Sequence, residues 1–139
     1  MTLHVRDTCL CLAAQRAARA LARRFDEALR PLDLTNGQFS LLMALNRPAP
    51  PSMAPVAALL AMDRTTLTAS LKPLQRRGLV DIVRDPDDRR GRRLLLTPVG
   101  QALLARALPV WTEAHAAEER RLPEGGAAAL RSLVGDVAR

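Results

Sequence analysis

Asp63-Arg64-Thr65-Thr66-Leu67-Thr68 opens a stretch that continues through Leu74-Gln75-Arg76-Arg77-Gly78-Leu79-Val80 to Asp85-Pro86-Asp87-Asp88-Arg89-Arg90-Gly91-Arg92-Arg93. Asp63 is placed to cap a helix. Leu67, Leu71 and Leu74 fall at i, i+4 and i+7 and form its inner face. Gly78 suits the stop behind it. Pro73 inside a regular helix costs about 3 kcal/mol, so a bend is expected there, with Arg76-Arg77-Gly78 as the true end. Residues 79–84 alternate in part as a strand does, and residues 93–97 offer a partner. A short helix next to a basic two-stranded arm is the sequence form of a winged helix-turn-helix.

The outer face of this helix carries Arg64, Thr65, Thr66, Thr68, Ser70 and Lys72. In a helix-turn-helix the N-terminal part of the second helix reaches base edges. Hydroxyls bond bases or phosphates, and threonine methyls meet thymine methyls. An ordinary solvated helix with a threonine-rich first turn is the competing reading. Gly78 and the basic arm behind it weigh against that. The arm is read as a loop over residues 84–93, with Arg84, Arg89, Arg90, Arg92 and Arg93 against Asp85, Asp87 and Asp88 and with Gly91 at its bend. The aspartates can pin some arginines. A free guanidinium can then enter a narrow minor groove, where the potential is most negative. A solvated charged hairpin is the bland alternative.

Outward from this centre the chain reads as helices. Residues 6–30 have Leu10, Ala14, Ala17, Ala18, Leu21, Phe25, Ala28 and Leu29 at helical spacing, and Pro31 follows. One long amphipathic helix is expected there, and its stripe needs a cover from this chain's tail or from a second copy. Thr35 and Gln38 form a capping box before Phe39, Leu42, Met43 and Leu45. Ser52 is expected to cap a short helix. Thr97-Pro98 starts another, with proline where its missing N–H costs nothing. That helix carries Trp111 and should kink at Pro109. Leu122-Pro123 opens a last one. The fold class is therefore mainly α with a small β-hairpin.

These motifs, with Leu94, Leu96-Thr97-Pro98 and Gly100, and with Phe25-Asp26-Glu27-Ala28-Leu29, Leu34-Thr35 and Gln38-Phe39, resemble the MarR family of multiple antibiotic resistance regulators. The likeness covers nearly the whole chain. Its sharpest part is Asp88-x-Arg90-x-x-x-Leu94-x-Leu96-Thr97. Where family members often carry a basic or amide residue, this chain has Ala69 and Ser70. The resemblance implies a single domain over 1–139. A winged-helix DNA-binding lobe would span 33–97, and dimerisation helices 1–31 and 98–139. It implies a triangular homodimer on a roughly palindromic double-stranded site, usually a repressor, released by a small ligand or by oxidation. It makes Arg90 the wing-tip arginine and Asp88 its organiser.

Composition agrees with a nucleic-acid partner. The 139 residues carry a formal charge of +7, and 48% of them are apolar. Such a balance favours polyanions, though it is only a hint. Arginine dominates, Lys72 being the sole lysine. No apolar run is long enough to span a membrane, and Arg16, Arg19, Arg23 and Arg24 interrupt any signal layout, so a cytoplasmic protein is expected. No catalytic set, phosphate loop or metal cluster stands out, and no enzyme activity, cofactor or metal is expected.

Two effector routes stay open. Cys9 and Cys11 lie two residues apart, and side chains so spaced point apart in an intact helix. They are small packing residues, or a thiol sensor that meets other cysteines or acts singly. A metal site with His4 matches no common zinc spacing. Alternatively, by analogy with the family, Gln15, Arg19, Phe39, Met43 and Trp111 are candidates for an apolar pocket with a cationic anchor for an organic acid. A sequence-indifferent architectural DNA-binding protein would use the same helix and wing, and differs in binding any duplex equally.

Overall fold

The structure is a computed structural model that describes residues 2–139. In chain order it has α1 (Thr2–Thr8), α2 (Leu10–Leu29), a 3-10 turn (Arg30–Leu32), α3 (Asn36–Leu45), α4 (Met53–Leu59), α5 (Arg64–Arg76), β1 (Val80–Asp85), β2 (Asp88–Leu96), α6 (Pro98–Arg120) and α7 (Gly126–Val137). The two strands are antiparallel and pair Val80 with Leu96 at the root and Arg84 with Arg92 near the tip. This is a winged helix-turn-helix lobe flanked by helices from both ends.

The local chemistry sets most boundaries as the residue types require. Thr35 Oγ1 accepts the Gln38 N–H at 3.2 Å while Gln38 Oε1 accepts the Thr35 N–H at 3.1 Å. Asp63 Oδ1 accepts the Thr66 N–H at 2.7 Å. Gly78 ends the α5 region at φ +71°, a backbone angle that glycine adopts without strain. Thr97 caps α6: its hydroxyl oxygen accepts the Gly100 N–H at 3.0 Å and lies 2.7 Å from the Gly78 carbonyl.

One core holds the lobe. Leu29, Leu41, Leu42, Leu45, Val56, Leu67, Leu71, Leu74, Val80 and Leu94 are essentially sealed from water. Truncating a leucine so placed to alanine costs about 2–5 kcal/mol. The core therefore fixes the orientation of α5 and of the hairpin root together.

Several expectations need correction. The first helix is not continuous over residues 6–30. Cys9 is extended (φ −72°, ψ 111°), and its Sγ accepts the Leu12 N–H at 3.4 Å, so it caps α2 and ends α1. The arm over residues 84–93 is not a loop. Both strands run to a tight turn at Pro86 and Asp87, so Arg84, Arg89, Arg90 and Arg92 are strand residues. Gly91 lies on β2 rather than at a bend. Any Cβ there would sit 3.0 Å from Asp88 Oδ2 and 3.1 Å from Asp85 Cβ, so a larger residue would press both aspartates aside next to the bulge between Arg84 and Asp85. α5 does continue through Pro73 to Arg76, as expected, and α6 continues through Pro109 to Arg120. Ser52 stands at the start of α4, but its side chain makes no capping bond. The last helix begins at Gly126, after Gly125 at φ +75°, three residues beyond Pro123.

Candidate nucleic-acid interface

α5 buries Leu67, Leu71 and Leu74 and turns Arg64, Thr65, Thr66, Thr68 and Lys72 to solvent, with Ser70 half-buried. The bond from Thr66 to Asp63 holds the Asp63 carboxyl below its ordinary range. The Thr68 hydroxyl donates to the Arg64 carbonyl and the Ser70 hydroxyl to the Thr66 carbonyl, both at 2.8 Å. Their protons are thus committed to the helix, and the lone pairs stay free to accept from base amino groups. Arg64, Thr65, Thr68, Ala69 and Lys72 line one shallow surface depression. The structure therefore brings Arg64, Thr65, Thr68 and Lys72 together on one open face, and leaves Thr66 and Ser70 outside it.

The wing presents Arg84, Arg89, Arg90 and Arg92 to solvent. Asp88 Oδ1 accepts the Arg90 N–H at 3.0 Å, so Asp88 shapes the backbone at Arg90. A second aspartate of the wing goes deeper and pins an arginine, as the sequence allowed without saying which. The Asp85 side chain is 9% exposed and faces Arg93 Nε at 2.9 Å. Arg93 also donates from Nη1 to the Pro50 carbonyl at 3.3 Å. The Asp85–Arg93 partnership spans eight residues across a hairpin, and no motif spacing signals it.

Behind the lobe, α2 and α6 meet through Arg24, whose Nε and Nη2 donate to the two Glu118 carboxylate oxygens at 2.6 and 2.8 Å. The Arg24 guanidinium holds the Glu118 carboxyl below its usual range, against a smaller opposing effect of burial. Beside this joint, Trp111 stacks with Phe39 at 6.0 Å, Phe25 at 6.5 Å and His115 at 4.7 Å between ring centroids. A cavity of about 240 Å³ opens among Phe25, Leu29, Asn36, Phe39, Ser40, Trp111 and His115. Of the expected pocket residues, Phe39 and Trp111 line it. Gln15, Arg19 and Met43 do not: Gln15 Nε2 reaches Cys11 Sγ at 3.4 Å, Arg19 lies beside Arg16 and Arg23, and Met43 is exposed. His115, which the sequence did not single out, is half-buried on Trp111, and its i, i+4 spacing from that ring was the available signal.

Cys9 is half-buried at the α1–α2 junction and Cys11 is exposed. Among the described residues no group of three His, Cys, Asp or Glu gathers as a metal site would need, and no helix is long and apolar enough to cross a membrane.

A family model described as MarR family matches residues 32–91. The HTH-type transcriptional regulator TtmR of Methylorubrum extorquens is 34% identical over 97 residues, which are 70% of this chain and 50% of TtmR. The chain thus spans about half the length of that relative. Among solved structures, the transcriptional repressor CouR bound to a 23-mer DNA duplex superposes with a TM-score of 0.83 at 32% identity, over 100% of this chain and 99% of that one. The Mycobacterium tuberculosis regulator MosR in complex with DNA gives 0.85 at 35% identity, over 94% and 93%.

Proposed function

This chain belongs to the MarR family, and from that premise we propose that it is a homodimeric, sequence-specific DNA-binding transcriptional regulator of the cytoplasm, acting as a repressor on a palindromic operator. The observation that carries the reading is that the start of α5 and the arginines of the adjoining wing are both exposed rather than committed to the core. Arg64, Thr65, Thr66, Thr68, Ser70 and Lys72 would enter the major groove, and Arg84, Arg89, Arg90 and Arg92 the flanking minor groove and its phosphates.

Dimerisation is supported by what the single chain leaves uncovered. Neither α1 nor α7 buries a residue. Leu10 is 80% exposed, Leu133 64% and Val137 78%. Apolar surface on this scale, at both ends of the chain, calls for a cover, and closed two-fold pairing is the commonest solution.

Two release routes are proposed. A small aromatic or organic-acid ligand would enter the cavity beside Trp111, between the helices that join the lobe to the outer helices. Oxidation would act at Cys9 and Cys11. Oxidation of Cys9 would disturb the cap on which α2 starts, and Cys11 is exposed to oxidant.

Selection of duplexes from a random-sequence pool, followed by gel-shift titration at fixed salt, tests the core reading. One inverted repeat should emerge and bind roughly a thousandfold or more tighter than its scrambled version, within the ordinary range of specificity ratios. Equal affinity for both duplexes would replace this reading with the architectural one.

A further inference from the structure

Resting on the DNA-binding reading, we propose that Asp85 is a positioning residue that sets where the wing tip stands relative to the recognition helix α5. It acts through a clasp of Asp85, Arg93 and the carbonyl of Pro50, and it touches no DNA itself.

The clasp has several independent parts. Asp85 Oδ2 and Arg93 Nε are 2.9 Å apart, and Asp85 Oδ1 also accepts the Asp87 N–H at 2.9 Å. One carboxylate therefore ties the turn of the wing to its opposite strand. Arg93 continues the chain of bonds to the Pro50 carbonyl at 3.3 Å. The backbone repeats the connection: Ser52 bridges to Arg93, and the Leu94 N–H donates to the Pro51 carbonyl at 2.8 Å. Ser52 is the residue from which α4 starts, and α4 packs on α5. Gly91 completes the fit, since a Cβ there would press on Asp85 and Asp88.

A two-stranded ribbon held only by its root would swing, because three or more strands are normally needed for independent rigidity. The clasp gives the ribbon a third line of attachment midway along β2. Reading two grooves at once requires a fixed distance between helix and wing. A carboxylate left unpaired this close to DNA would repel phosphate, so the charge of Asp85 is useful only as the partner of Arg93. The ion pair is mostly shielded from water on the Asp85 side, which makes it stiffer than an ordinary surface pair.

The test uses the full-length protein and has two arms. In the first, amide hydrogen exchange is read by NMR in wild type, Asp85→Asn and Arg93→Gln. The Leu94 amide should exchange at least tenfold faster in both variants, while amides of α3 and α5 stay as protected as in wild type. Unchanged Leu94 exchange in either folded variant overturns the clasp, whether or not the protein binds DNA.

In the second arm, affinity for a duplex selected by the wild-type protein is measured across a double-mutant cycle of Asp85→Asn with Arg90→Ala. Asp85→Asn alone should weaken binding about tenfold, and Asp85→Glu should recover most of it. In the Asp85→Asn background, Arg90→Ala should cost less than twofold more, because a displaced wing tip has no contact left to lose. A full, additive Arg90→Ala penalty in that background contradicts the positioning role. If the wild type selects no duplex, the DNA-binding reading fails in its own right, and the exchange arm still decides whether the clasp exists.

Discussion

Arg90 and Gly100 show how much one residue decides here. The Arg90 backbone is set by Asp88, and among the described residues its guanidinium makes no ion pair at the exposed end of the wing. Arg90→Ala should therefore weaken operator binding by roughly 1–3 kcal/mol, the scale of a lost groove contact, with no change in thermal stability. Fluorescence anisotropy with a labelled duplex reads the first quantity and calorimetry the second. Unaltered affinity would take the wing out of the mechanism. Gly100 is the reverse case, a residue that works by having no side chain. Its Cβ would collide with the Leu79 carbonyl oxygen and crowd Leu96, so alanine there would push α6 off the hairpin root. A loss of about 1–3 kcal/mol is expected, as for other overpacked positions, and an unchanged denaturation midpoint would refute it.

At the scale of elements, the α2–α6 joint and the α1–α2 break make separate predictions. Glu118 is held below the usual carboxylate range by Arg24. A depressed carboxyl stabilises the fold above its ordinary range, and that contribution is lost as pH falls through the lowered value. Glu118→Gln should thus melt lower than wild type near neutral pH, and the two melting curves should converge in acid. A gap that persists below the carboxylate range would mean that the pair contributes nothing through its charge. At the break, replacing both Cys9 and Cys11 by serine should abolish any release of DNA by peroxide and leave unoxidised binding intact. A doubly substituted protein that still lets go under peroxide would discard the thiol route.

Most elements could be read from the chain because their boundaries are local. Thr35 with Gln38, Asp63, Gly78 and Thr97 each state a start or a stop within four residues. The leucines of α5 likewise declare their buried face. What stayed hidden depended on partners far off in sequence or on a weak local competitor. Cys9 caps α2 through its sulfur, a bond that helical periodicity does not reveal. The wing reads as a loop because its outer strand residues are charged except for Gly91, with no apolar alternation to announce pairing. Asp85 with Arg93 and Arg24 with Glu118 join residues that only the fold brings together.

For the whole molecule, the account requires two subunits. The chain carries an uncovered apolar surface on its terminal helices and exposed arginines on its wing; in the proposed dimer the first would be covered, and the paired lobes would stand about one helical turn of DNA apart. The most direct measurement is sedimentation of the purified protein alone and with a duplex bearing the selected inverted repeat, repeated over a series of salt concentrations. The account predicts a dimer before DNA is added, two subunits per duplex, and a linear fall of log affinity with log salt of roughly 0.9 per phosphate contact. A protein that sediments as a monomer, or that leaves every duplex free in dilute buffer, would contradict it.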